Sequence, residues 1–357
     1  MEAVDLVRWR LHAQLLRAST CGSPTEALAR LGAVQGQDYL PASWSLAQRC
    51  VEVLPSGTVD AELDEGGVLR THTLRPTWHL VAPEALPWLL SATSPRVHQL
   101  NKHYYGRLEV DDGLMARVRP VLDRLLGDRH ATREEVAATL SGAGIEARGN
   151  RLAYILMWAE LDGWVVSGRR KGKQQTYAAY HERVPHADWT REEALGRLAE
   201  VYVGSRGPAT VKDLARWASL TLAEARLARD VAGTAIEEVE VGERTYLVGA
   251  GRSAPAREMP RVDLVQQYDE LGMSYSESRD VLVGGHESVF GPATSLVHAI
   301  LLDGRLVGHW RYERDASGRP AEVQTWFYDD PVPGDLLDDA VRRFADFSGG
   351  PVTHRPA

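Results

Sequence analysis

Apolar residues recur at helical spacing from the start of the chain. Val4, Val7, Leu11 and Leu15 fall on one face and predict a first helix. Ser23-Pro24-Thr25-Glu26 then places a capping serine, a proline at the first helical position and a glutamate three residues after the cap. That signature opens a short helix through Ala27, Leu28 and Leu31, ending near Gly32, and a third helical run follows from Pro41 through Trp44, Leu46 and Ala47. Ser56 to Gly67 shows no apolar face and reads as a polar loop. From Val68 to Val81 the pattern reads as a hairpin: VLRTHTL, a turn at Arg75-Pro76, then TWHLV. Three helices followed by a hairpin is the order of a winged helix-turn-helix module.

The same order returns twice. Leu114 to Leu126 is helical, Thr132-Arg133-Glu134-Glu135 is a capping box opening a second helix, and Leu152 to Leu161 is a third, amphipathic run after a turn at Gly142 to Gly144. Trp164 to Ser167 and Gln175 to Ala178 then flank a basic tip, Gly168-Arg169-Arg170-Lys171-Gly172-Lys173, in the position of a wing. In the weaker third copy, Glu192 to Tyr202 and Thr210 to Ala218 are helical, and Thr221 caps a helix with Leu222, Ala225 and Leu227 expected in the core. VEVGERTYLVG closes a hairpin around Gly242-Glu243. Beyond Val262 short β-like runs take over, at Val262 to Gln266, Val281 to Val283, Leu296 to Leu302, Arg305 to Arg311 and Val323 to Phe327. Asp303-Gly304 is a hairpin turn between two of them, and a final helix runs from Leu336 to Phe347. The expected fold class is therefore α+β: units at 1–90, 91–186 and 187–256, then a β-rich unit with a C-terminal helix at 257–357.

Composition narrows the field. The 357 residues are 44% hydrophobic and 25% charged, ordinary for a globular chain. No run reaches the ~18 consecutive apolar residues of a membrane helix, and MEAVDLVRWR places acids where a signal peptide needs a basic segment. Cys21 and Cys50 are the only cysteines, which excludes a disulfide framework or a thiolate cluster. A cytoplasmic protein is expected. With 41 Lys+Arg against 49 Asp+Glu the formal charge is −8, unlike the basic footprint of most nucleic-acid binders.

Three groups can carry chemistry. Gln35-Gly36-Gln37 sets two amides about a glycine, able to aim at one water molecule; two polar residues in a helix–helix turn would look the same. An amide does not titrate near neutral pH, so its use is positional. The hairpin residues Arg70, His72, Arg75, Thr77, Trp78 and His79 could grip phosphates or approach a sugar, or be ordinary strand residues with hydrogen-bonded rings. Arg169, Arg170, Lys171 and Lys173 on the wing tip suit phosphate contact, the alternative being a solvated loop. Among Asp269, Glu270 and Glu277 one could be a catalytic carboxylate, the commoner reading being a loop of solvated acids; Tyr104 and Tyr105 could stack on bases, the commoner reading being a packed helix face. No cofactor motif and no metal-ligand spacing is present: GxxxxGK, HExxH and GxSxG are all absent.

Taken together, LGAVQGQDYLPASWSLAQR, LRTHTLRPTWHLVAPEALPWLL, RVHQLNKHYYGRL, VGSRGPATVKDLARWASLTLAEAR, DLVQQYDELGMSYSESRD and VHAILLDGRLVGHWRYER resemble the HTH_42 family, the winged-helix DNA glycosylases of AlkZ-like and YcaQ-like (AlkX) type. The resemblance spans nearly the whole chain. It implies a C-shaped molecule of three tandem winged helices plus a β-barrel-like domain. It also implies removal of bulky alkylated purines, including the unhooking of interstrand crosslinks. The family's catalytic motif is a glutamine, an aliphatic residue, then glutamine in AlkZ-like members or aspartate in YcaQ-like ones. Gln35 and Gln37 match the outer positions of the AlkZ form, while the middle position is Gly36; Gln266 stands where relatives usually carry proline.

On this reading the chain is a monofunctional glycosylase, a monomer acting on double-stranded DNA that carries cationic alkylpurines. Gln35 and Gln37 hold the water, the Arg70 to His79 hairpin approaches the lesion, and residues 169–173 bind phosphates. The rival is a non-catalytic winged-helix regulator or drug-sequestering DNA binder, which needs no glutamine pair. Both housekeeping repair and self-resistance of an antibiotic producer fit the sequence. Charge is unevenly spread: residues 131–183 hold eight Lys+Arg against six Asp+Glu, and residues 321–346 two against seven. The acidic total is compatible with weak, salt-sensitive DNA binding.

Overall fold

The computed structural model describes residues 3–127, 129–283 and 297–356. Helix α1 (Ala3–Ala13) leads to α2 (Pro24–Leu31), the two-residue strand β1 (Val34–Gln35), α3 (Tyr39–Ala47) and α4 (Ser56–Glu65), then the hairpin β2 (Leu69–His72) and β3 (Trp78–Val81). The long α5 (Leu86–Arg107) connects to α6 (Asp112–Leu126), β4 (Ala131–Thr132), α7 (Arg133–Gly142), α8 (Gly149–Leu161), β5 (Val165–Lys171), β6 (Gln174–Ala179) and the single turn α9 (Tyr180–Arg183). A third set follows: α10 (Arg191–Arg206), α11 (Val211–Trp217), α12 (Leu222–Ala232), β7 (Ile236–Val241) and β8 (Arg244–Gly249). The remainder is β9 (Val262–Val265), α13 (Glu270–Met273), α14 (Asp280–Val283), β10 (His298–Leu302), β11 (Arg305–Arg314), β12 (Pro320–Phe327), α15 (Gly334–Ser348) and β13 (Thr353–Pro356). The expected side chain of Val4 and the start of a strand at Leu296 lie outside the described residues.

Sheet order exposes an internal repeat of architecture. The first sheet runs β1-β3-β2 and the second β4-β6-β5, so in each a short strand before the helix pair adds to the returning strand of the hairpin. In the third set the sheet is β7-β8, with a single antiparallel bridge, Ala209 to Leu247, in the place of the short strand. Local signals explain the helix starts. Ser23 accepts from the Glu26 amide, and Thr132, Thr190, Thr210 and Thr221 each form a reciprocal capping box with the acid three residues on. Gly32 ends α2 at φ 77°, and a Cβ there would meet Val201 Cγ1 of α10 at 2.7 Å, so glycine permits both the turn and the close packing.

Five expectations are corrected. Ser56 to Gly67 is not a loop: α4 buries Val59 and Leu63, one helical turn apart, and presents acids elsewhere. With so narrow an apolar stripe the face is invisible to periodicity. It is α2, α3 and α4, not α1, α2 and α3, that precede the first hairpin; α1 packs against α10 and α14. Val281 to Val283 lies in the helix α14, a short apolar run whose period is ambiguous. Leu227 is exposed and Leu222 only half-buried, because α12 meets α10 through the small side chains Ala225, Ala228 and Ala232. In place of a barrel, the described C-terminal strands form an open sheet, β13-β12-β11-β10-β9, covered by α15. Trp44 of α3 inserts between that sheet and α15, with its ring 5.3 Å from both Phe344 and Phe347.

The segment after β9 is fastened to the first 50 residues and to α10 by buried charges. Arg49 reaches Asp269 through two bonds of 2.6 and 2.9 Å, Arg17 reaches Asp263 at 2.8 Å, and Arg206 reaches Glu270 at 2.7 Å. Arg10 donates to the Pro208 and Ser278 carbonyls and lies 3.8 Å over the Tyr275 ring. Asp269 and Glu270, expected as solvated acids, are buried; Glu277, half-exposed, pairs with Lys212.

Truncating one partner of a dry ion pair strands the other. Arg49→Met should therefore lower unfolding free energy by about 3–5 kcal/mol, while Arg170→Met, whose acids are partly hydrated, should cost about 1 kcal/mol or less; urea denaturation checks both. His79 is fully buried, and burial followed by the charges of Arg75 and His72 holds its pKa well below 6.5. Below that value the unfolded chain binds a proton that the folded chain refuses, so stability is lost as pH falls. His79→Leu should remove from the acid limb a slope of up to about 1.4 kcal/mol per pH unit, read from unfolding midpoints between roughly pH 6.5 and 5.

Candidate active site

Strand β1 is short because one residue after Gln35 the chain must turn into α3. Val34 pairs with Leu80 and points into the core; Gln35 pairs with His79, which pairs in turn with Thr71 on β2. Gln35, His79 and Thr71 thus form one cross-strand row on the opposite face. Gly36 continues the ladder by donating to the Trp78 carbonyl at 2.7 Å. A Cβ on Gly36 would stand 3.3 Å from both the amide nitrogen and Cγ of Leu80, tighter than ordinary contact, so the loop lies flat against β3.

Gln35 is held at both ends. Its backbone N–H donates to Glu270 Oε1 at 3.0 Å, and its side-chain oxygen accepts from Arg75 Nη2 at 2.8 Å. Arg75 also donates to the Trp217 carbonyl at 2.9 Å, and the Trp217 indole donates to Glu270 Oε2 at 2.8 Å. The circuit Gln35, Glu270, Trp217, Arg75 closes on itself. Arg206 completes it, donating to Glu270 and lying 4.2 Å over the Trp217 ring. Burial pushes the Glu270 pKa up, but Arg206 and Arg75 outweigh it and the net shift is downward, so the carboxylate stays ionised. Burial pushes Arg75 down to about 10, which leaves it a cation at neutral pH.

Gln37 is exposed. Its backbone is fixed by Arg70, which donates to the Gly36 carbonyl at 2.9 Å and the Gln37 carbonyl at 3.1 Å. Arg70 lies 4.3 Å over the Trp78 ring, Trp78 packs against His72, and His72 pairs with the buried Glu160 of α8. The result is one amide locked and enclosed, and a second on a rigid backbone with its side chain in solvent.

The hairpin residues named from sequence are therefore together, in a different role from the one expected. Arg70, Arg75 and Trp78 brace the glutamine loop; His72 and His79 are buried; Thr77 is half-buried. None of the two histidines can reach a phosphate without the hairpin opening. The wing is also partly committed. Arg170 pairs with Asp60 and Asp64 of α4, each at 2.9 Å, and Lys171 pairs with Glu135 at 2.8 Å. Arg169 and Lys173 are exposed, and no described acid pairs with either side chain. Arg206 and Trp217 were missed as site residues, and Glu270 was set aside as a solvated acid. The available signal was an acid pair wedged between the apolar runs Leu264-Val265 and Leu271, a poor setting for solvated charge. Among the described residues no three His, Cys, Asp or Glu side chains cluster as a metal ion would require, and no described helix is long and apolar enough to cross a membrane.

Comparison with known proteins meets this geometry. The chain is 26% identical over 336 residues to an interstrand DNA cross-link repair glycosylase of Streptomyces sahachiroi, covering 85% of each. Its fold is similar to the solved structure of the Streptomyces sahachiroi DNA glycosylase AlkZ, with a TM-score of 0.82, 19% identity and all of both chains covered. The model of the family described as DNA glycosylase AlkZ-like matches residues 28–347. The chain belongs to the AlkZ-like DNA glycosylase family.

Proposed function

We propose that this glycosylase hydrolyses the N-glycosidic bond of bulky cationic purines in duplex DNA, N7-alkylguanine and N3-alkyladenine, and that Gln35 and Gln37 place the water. The observation that carries the reading is the closed circuit that fixes Gln35 beside an exposed Gln37. A ring already bearing positive charge leaves without help from an acid. What the protein must supply is a water near C1′ and dipoles facing the positive charge that develops on the sugar. The Gln35 oxygen, one lone pair bound by Arg75, keeps the other for that water; Gln37 offers its whole carboxamide. Because the Arg75 bond fixes which end of the Gln35 amide points where, the site is oriented before substrate arrives.

Unhooking of interstrand crosslinks by this chain is part of the proposal. It is supported by the cross-link repair for which the similar Streptomyces sahachiroi enzyme is named. No lysine neighbours the glutamine pair, which fits hydrolysis rather than a Schiff-base lyase step. Duplex contact is assigned to Arg169 and Lys173, the wing cations that no described acid holds.

Single-turnover release of N7-alkylguanine from a duplex tests the glutamine pair. Gln35→Ala with Gln37→Ala should slow release by at least about 10²–10³-fold at unchanged folding, and the parental rate in that double variant would end the proposal. Affinity for undamaged duplex should fall as salt rises. Arg169→Gln and Lys173→Gln should each reduce the slope of log affinity against log salt by about 1, measured by anisotropy titration.

A further inference from the structure

Asp38 follows Gln37 and is the N-cap of α3, with the extended backbone (φ −102°, ψ 111°) of a capping residue. Its carboxylate makes no cap bond. Among the described N-caps that carry a Ser, Thr or Asp side chain it is the exception. Ser23, Asp111, Thr132, Thr190, Thr210, Thr221 and Asp269 stand at N-caps, and each accepts from a first-turn amide. A missing cap bond is a real loss of helix stability. The Asp38 side chain instead turns away from its helix, and Oδ2 accepts from Gln267 Nε2 at 2.9 Å. The Gln267 backbone is itself held, its N–H donating to His298 Nδ1 at 3.2 Å. Oδ1 has no described hydrogen-bond partner, and the residue is exposed. The charge lies within electrostatic reach of Arg70, which holds the Gly36 and Gln37 carbonyls.

We propose that Asp38 is the proton acceptor of this site. An amide pair can position a water but cannot take its proton, whereas an exposed carboxylate next to Gln37 in the chain, held through one oxygen by Gln267 and with the other uncommitted, can do so. The inference rests on the reading that Gln35 and Gln37 hold the water. In the step itself the C1′–N9 bond breaks with its electron pair going to the alkylated purine, which cancels the ring's positive charge. The water oxygen bonds to C1′, and the water proton passes to Asp38 and then to solvent. Gln267 is a positioning residue: it selects the rotamer that gives up the helix cap.

The experiment compares single-turnover release of N7-alkylguanine with duplex affinity and unfolding midpoint for wild type, Asp38→Asn, Asp38→Ser, Gln267→Ala and the Gln35→Ala, Gln37→Ala double variant. Asp38→Asn should slow release by about 10²-fold while duplex affinity stays equal or rises, since a negative charge facing DNA is removed. Asp38→Ser, able to cap α3, should unfold no earlier than wild type yet be as slow as Asp38→Asn; Gln267→Ala should fall between. Parental rate in Asp38→Asn overturns the proposal, as does a slowing that only tracks lost affinity, which would make Asp38 a latch to the β-rich end. If the double variant is slow while Asp38→Asn is not, the glutamine reading stands and this inference fails; parental rate in the double variant ends both.

Discussion

The Glu270 carboxylate is the contact on which the site depends. One oxygen holds the backbone N–H of Gln35, and the other gathers Arg206, the Trp217 indole and the Ser274 hydroxyl. Removing a carboxylate and a guanidinium from water costs several kcal/mol each, so a buried pair of this kind is a weak source of net stability. Its effect is positional. α10, α11, β1 and the segment after β9 meet at one charged atom pair, and no shift of any of them leaves the pair satisfied. The register of β1 against β3, and with it the direction of the Gln35 side chain, follows from that constraint.

Much of this architecture is written in local signals. Caps at Ser23, Thr132, Thr190, Thr210 and Thr221 mark helix starts by a short-range hydrogen bond that needs no tertiary context, and the hairpin turn at Asp303-Gly304 is equally local. The Gln35 and Gln37 pair stood out through family resemblance rather than through spacing. What stayed hidden depends on the rest of the fold. α4 has only Val59 and Leu63 to announce a buried face, and whether five strands close or remain open is a matter of edge pairing that strand pattern does not record. The acids of the segment after β9 were misread for the same reason. An aspartate and a glutamate look solvated until Arg49 and Arg206, some 220 and 64 positions away, are seen to meet them.

The hairpin and wing show how charge counted along a chain differs from charge available to a ligand. Arg70 and Arg75 are spent on the backbone and side chain of the glutamine loop, Arg170 on α4, and Lys171 on the cap acid of α7. A basic tract is a phosphate site only to the extent that the protein's own acids leave it unpaired. The Arg170 contacts serve a different end: they join the second hairpin to α4 of the first unit.

The recurring joint between short strand and helix has a consequence for how the chemistry arose in this fold. At Thr132 one residue closes the strand and caps the next helix, and at Thr210 the cap directly follows the bridging Ala209. In the first repeat those two duties are pulled apart: the strand ends at Gln35 and the cap position waits until Asp38. The added residues owe nothing to helix initiation. A joint whose side chains are consumed by folding in the second and third copies is, in the first, lengthened enough to free them, and the slack holds Gln37, one of the two glutamines proposed to place the water.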